Sequence, residues 1–161
     1  MWSEFESDVV EGRYPLGKLV RSEGRCGWFE TRFHDQPALI SLTESLNDEA
    51  TLLERLRAAE KVKDKNVAAI FETGTTTLRD SPLAYAVMEL TEENLEDVLR
   101  TRALSPEETK EVAESLVHAL EAIHKERLVC GRLEAASVLA AGDTIKLAHS
   151  DLRLRLPARG Y

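Results

Sequence analysis

The chain has 161 residues, 43% of them apolar and 31% charged, the balance of an ordinary globular protein rather than a disordered or membrane-embedded one. Its formal net charge of −8 argues against a nucleic-acid binder, which needs a basic face to neutralise phosphates. No apolar run approaches the roughly 18–20 residues that cross a bilayer, and the acidic start MWSEFESDVVEG lacks the apolar core of a secretory signal, so a cytoplasmic location is expected. The first third reads as strands: GRYPLGKLVRSEG at 12–24, GRCGWFETRFHD at 24–35 and QPALISLTE at 36–44 carry β-branched and aromatic residues broken by Gly, Asp and Pro turn signals. A helix follows, with Asn47 and Asp48 as N-cap candidates and Leu52, Leu53, Leu56 and Ala59 at helical spacing.

Two more strands come next, NVAAIFETG at 66–74 and PLAYAVMEL at 82–90, with the polar stretch TTTLRDS between them as a turn. Strands, one helix, then two strands is not a βαβα alternation, so a mostly antiparallel sheet with a helix on one face is expected. TEENLEDVLR at 91–100 predicts a short helix, and residues 105–128 a long one. The long one opens with a capping box from Ser105 to Glu108 and Pro106 at its first position. Val112, Leu116, Ala119, Leu120 and Ile123 form its apolar stripe, while His118 and His124 need no functional account. SVLAA and TIKLAHS flank a Gly142-Asp143 turn and predict a small hairpin. Cys26 and Cys130 lie far apart without metal-ligand spacing and are expected to be two buried thiols.

Five segments then line up in order: SEGRCG at 22–27, ALIS at 38–41, the helix carrying Glu54, YAVMEL at 85–90, and VCGRLEAASVL with IKLAHSD at 129–151. Together they resemble the protein kinases over roughly residues 13–152. They match in turn the glycine-rich loop, the strand ending in the ATP-holding lysine, the helix whose glutamate pairs with that lysine, the gatekeeper and hinge, and the catalytic loop with the metal-binding motif. The resemblance implies an α+β fold: a five-stranded antiparallel N-lobe with one helix, then a truncated helical C-lobe bearing a small β-hairpin. It divides the chain into an acidic N-terminal extension at 1–12, an N-lobe at 13–90, a partial C-lobe at 91–152 and a basic tail at 153–161. Beyond Asp151 only LRLRLPARGY follows, where the family continues with an activation segment and further helices. Either a naturally cut-down domain or a piece of a longer protein is expected, with apolar surface left open to a partner.

Phosphoryl transfer in this family needs positioned charge, and the matched positions have lost it. The lysine position is Ser41, or Ile40 if the strand slips by one, and no lysine occurs between Lys18 and Lys61. Arg132 stands where the proton-accepting aspartate belongs; a guanidinium has no acceptor and does not deprotonate in proteins. Ser137 replaces the metal-binding asparagine, and His149 the metal-binding aspartate. Mg²⁺ wants hard oxygen ligands, and opposite charges about 4 Å apart attract by about 4 kcal/mol at an effective dielectric near 20. Replacing two carboxylates with a cation turns that attraction into repulsion. No catalytic residue, no metal and no cofactor are expected.

A vestigial pocket would comprise Gly24, Gly27, Phe29, Leu39 and Met88, with Met88 as gatekeeper, Phe29 in place of the valine over the adenine, and Leu39 in place of the small alanine beneath it. Both add bulk to a slot that must admit a flat ring. Arg132 is expected to tie the loop together through Glu134 or Asp151, with anion binding as the alternative. Glu54 is expected to face solvent, pairing locally with Arg55 or Arg57. Trp2 and Phe5 either dock back onto the domain or anchor a partner. The reading is a catalytically inactive pseudokinase acting as a scaffold or regulatory module in signalling, through a protein partner or a second copy of itself. The alternative is a nucleotide-sensing domain that binds ATP weakly without metal, or an unusual transferase. Three arginines at 153–159 give only marginal attraction to an anionic membrane.

Overall fold

The computed structural model describes residues 2–91, 93–148 and 152–154. It forms two compact units, one of Met1–Glu60 with Ile70–Leu90, the other of Lys61–Ala69 with Thr91–Tyr161. The fold class is mixed α+β.

The first unit begins with a 3₁₀ turn, Trp2–Phe5, and two short paired strands, β1 (Val9–Val10) and β2 (Tyr14–Pro15). Five strands follow: β3 (Leu19–Glu23), β4 (Cys26–Phe33), β5 (Gln36–Glu44), then helix α1 (Glu49–Lys61), β6 (Ile70–Leu78) and β7 (Ser81–Glu89). They form one antiparallel sheet in the order β3-β4-β5-β7-β6. This architecture is consistent with a kinase-like N-lobe.

Two-residue turns set the sheet's register. His34 and Asp35 (φ 47° and 62°) join β4 to β5, and Arg79 and Asp80 (φ 48° and 65°) join β6 to β7. Positive φ at both central residues gives a turn whose twist matches that of the strands it joins. The stretch 75–78 expected as a loop is therefore strand. Its β-branched threonines suit a pleated surface, and the turn shrinks to Arg79-Asp80. The strand expected over 66–74 correspondingly starts only at Ile70, because residues 66–69 join the second unit. The strand expected over 12–24 is split in two, β2 and β3.

One face of the sheet forms the core, with Phe29, Ile40, Leu42, Leu83 and Val87 all fully buried. The N-terminal segment covers it with Trp2, Val10, Tyr14 and Leu16. In α1, Leu56 and Ala59 are buried and Leu52 and Leu53 half-buried. Asp48 occupies the cap position, its carbonyl accepting from the Leu52 N–H at 3.0 Å. Its side chain instead accepts from the Leu46 N–H and from Arg25.

In the second unit β8 (Glu93–Asn94) leads into α2 (Leu95–Thr101), which Asn94 caps by accepting from the Asp97 N–H. The helix expected from Thr91 starts later because that cap interrupts it. Helix α3 (Pro106–Lys125) has the expected capping box between Ser105 and Glu108. Of its apolar stripe, Ala119 and Ile123 are buried and Val112, Leu116 and Leu120 half-buried. After β9 (Leu128–Cys130) and a 3₁₀ turn at Ala135–Ser137, β10 (Val138–Ala141) and β11 (Thr144–Leu147) form the expected hairpin, with Gly142 at φ 61° in its turn. β8 adds to the edge of β10. The Asn66 side chain donates to the Ile145 carbonyl at 2.9 Å, and its backbone carbonyl accepts from the Leu147 N–H. Last, β12 (Leu152–Leu154) pairs antiparallel with β9, so part of the stretch read as tail is sheet.

Two predictions attach to the start of α3. Ser105→Ala removes the acceptor for the Glu108 N–H and is expected to cost about 1 kcal/mol in chemical denaturation. The Arg102 guanidinium grips the Glu108 carboxylate at 2.8 and 2.9 Å and, with the Ser105 N–H, pushes it from 4.5 down to about 2. A carboxylate lowered on folding contributes stability that is complete above its unfolded value and lost as pH falls through its folded one. Glu108→Gln keeps the cap acceptor without the charge, so stability between pH 4.5 and about 2 should fall less steeply than in the parent chain. Equal slopes for the two chains in acid titration followed by circular dichroism would contradict this role.

Candidate functional site

The stretch 22–27 folds as a hairpin tip. Ser22 pairs with Gly27 and Glu23 with Cys26, leaving Gly24-Arg25 as the turn, with Gly24 at φ 56°. Arg25 fastens the tip: its guanidinium meets Asp48 at 2.9 Å and donates to the Glu44 carbonyl. This contact and the Leu46 N–H hold the Asp48 carboxyl below its ordinary value. Gly27 is required by close approach. A Cβ there would lie 2.8 Å from the Trp2 indole, so this glycine makes room for a ring from the N-terminal turn. Trp2 docks back onto the sheet, edge-on to Phe29 at 6.5 Å between ring centroids and tilted against Phe5.

Residues directly opposite one another in an antiparallel pair share a face, and the register separates the pocket residues of the sequence reading. Phe29 lies opposite Ile40, and Ile40 opposite Val87. Gly27 lies opposite Leu42 on the same face. Leu39 lies opposite Met88, and Ser41 opposite Ala86 and Trp28, all on the other face. Phe29 and Leu39 therefore do not flank one slot, and the expectation that Phe29 covers it is corrected. Phe29 belongs to the core beneath Trp2. Trp28 takes its place on the Ser41 face, buried and with the Arg21 guanidinium 4.0 Å from its ring centroid, a cation–π contact.

Ser41 is buried in mid-strand and lies two pairs from the Leu39–Met88 row, on the same face. Its hydroxyl carries no charge for a phosphate. Cys26 lies opposite Thr43, whose hydroxyl donates to its sulfur at 3.4 Å. Burial pushes the Cys26 thiol above its ordinary value, against the pull of that hydrogen bond, so it is a poor nucleophile at neutral pH. Both cysteines are half-buried rather than fully buried, because Cys26 sits beside the hairpin tip and Cys130 beside an open loop. Glu54 is exposed on α1.

In the second unit, the loop after β9 carries Arg132, exposed and bonded to Glu134 with Nη2 3.2 Å from the carboxylate. The Cys130 thiol donates to the Arg132 carbonyl at 3.4 Å. Of the two partners open to Arg132 in the sequence, the structure brings Glu134 to it, while Asp151 lies outside the described residues. Ser137 is buried in the 3₁₀ turn, and its carbonyl accepts from the Ala148 N–H at 2.8 Å. His149 lies outside the described residues. The loop thus presents a neutralised cation, which donates hydrogen bonds and accepts none. Among the described residues no three His, Cys, Asp or Glu side chains are grouped to share a metal ion, and no helix is long and apolar enough to cross a membrane.

The five-stranded antiparallel sheet of the first unit, with its helix, is consistent with a kinase-like N-lobe. No protein-family model matches the sequence. Over 137 residues, 80% of this chain, it is 27% identical to a probable serine/threonine-protein kinase of Streptomyces coelicolor. The match covers 20% of that protein, so the chain spans about a fifth of the length of the curated relative it matches. The similarity is a distant, kinase-like relation.

Proposed function

We propose that this chain is a non-catalytic, kinase-like domain that works by binding a protein partner, as a scaffold or regulatory module. The observation that carries the reading is Arg132: it stands where the kinase resemblance calls for a proton acceptor, and Glu134 neutralises it. An arginine engaged with a carboxylate neither takes a hydroxyl proton nor binds Mg²⁺. Buried, uncharged Ser41 supports the same reading on the sheet side.

Thermal unfolding with increasing ATP, alone and with Mg²⁺ or Mn²⁺, tests it. A ligand a hundredfold above its dissociation constant stabilises by about 2.7 kcal/mol, several degrees for a protein of this size. The expected result is no concentration-dependent shift under any condition and no transfer of labelled γ-phosphate to the chain or to a generic protein substrate. A shift with ATP alone would establish the weak, metal-independent nucleotide binder instead. A shift that requires metal, accompanied by transfer, would overturn the non-catalytic reading.

A further inference from the structure

The second unit contains a groove of about 440 Å³ between α2, the first turns of α3 and the β10–β11 hairpin. Its floor is apolar: Leu95, Val98, Leu104, Val112, Val138 and Ile145. Of these only Val138 is fully buried; the others keep part of their surface open to the groove. The rim is acidic. Glu93, Glu111 and Asp143 are exposed there; Glu111 and Asp143 have no ion-pair partner among the described residues, and Glu93 is near enough to Arg102 to help hold its guanidinium protonated. Glu108 also lines the groove but is bonded twice by Arg102, the one cation among the described lining residues.

We propose that this groove docks a peptide segment of a partner protein in which aliphatic side chains alternate with lysine or arginine. The floor takes the aliphatic side chains, and the unpaired carboxylates meet the cations at its edge. Charge complementarity of this kind selects partners and suppresses wrong ones. The same rim repels nucleic acid, anionic lipid headgroups and acidic peptides. The inference gives the binding-module reading its surface and rests on that reading.

Fluorescence anisotropy with a labelled octapeptide of alternating arginine and leucine tests it, against peptides of alternating arginine and glycine and of alternating glutamate and leucine. The arginine–leucine peptide should bind about tenfold or more tightly than either control. The exposed double variant Glu93→Lys/Glu111→Lys should lose about tenfold or more in affinity. The double variant Glu30→Lys/Glu44→Lys, with the same charge change on the sheet of the first unit, should bind as the parent does. Circular dichroism and thermal unfolding confirm that both variants fold. Equal losses in the two variants would mean nonspecific attraction to an acidic protein and overturn the proposal, as would unaltered binding to the groove variant. Self-association in sedimentation that the groove variant abolishes, with no peptide bound, would replace the peptide with a second copy. Absent peptide binding with no response to ATP removes the groove and leaves the binding module. Groove-specific peptide binding alongside metal-dependent phosphoryl transfer removes the non-catalytic reading and leaves the groove.

Discussion

Phe29→Ala is expected to lower the unfolding free energy by about 3–5 kcal/mol in urea denaturation, the range for deleting a buried aromatic ring from a core. The ring has no exposed surface. It sits in the row Phe29–Ile40–Val87 across β4, β5 and β7, with Trp2 against its edge, so neighbouring strands hold their backbone apart and cannot collapse into the hole. The measurement also decides which face Phe29 serves. A loss below about 1 kcal/mol, coupled with new ATP-dependent stabilisation, would show that the ring fills a slot rather than the core. Leu39→Ala is the comparison: Leu39 is half-buried on the opposite face, and its truncation should cost less.

The second large effect is expected at Leu152. Leu152→Ala should cost about 2–5 kcal/mol, whereas Arg153→Ala one position on should stay within about 0.5 kcal/mol. Leu152 has no exposed surface and pairs with Cys130, while Arg153 is exposed opposite Val129. Alternation along a strand turns successive side chains to opposite faces, which is why neighbours should differ so sharply. Equal, small effects at both positions would mean that the segment is solvated tail, as its arginines suggest on composition alone.

Much of the fold was legible because its signals are local. Ser105, Pro106 and Glu108 announce the start of α3 within four residues, and Gly142-Asp143 announces the hairpin. The turn at His34-Asp35 also fixes which residues share a face. A two-residue turn there places Phe33 opposite Gln36, and counting back places Phe29 opposite Ile40 and Trp28 opposite Ser41. The face of each pocket candidate is therefore countable from that turn, whereas motif position alone does not fix it. In the threonine run after Gly74, polarity suggests a loop while β-branching makes a strand, and the strand wins.

The residue types at the kinase-like positions were determined by sequence alone: Ser41, Arg132 and Ser137 carry no carboxylate or lysine in any geometry. Tertiary structure decided what those residues do. Of the two partners open to Arg132 in the sequence, the path of the loop after β9 brings Glu134 to the guanidinium, and Asp151 lies outside the described residues. The same holds for Trp2 over Gly27, 25 positions apart, and for β12 against β9, whose partners Leu128 and Leu154 are 26 apart. The last two contacts form only after a loop is closed, at an entropic cost that local residue preferences do not encode, and so no short stretch of the chain announces them.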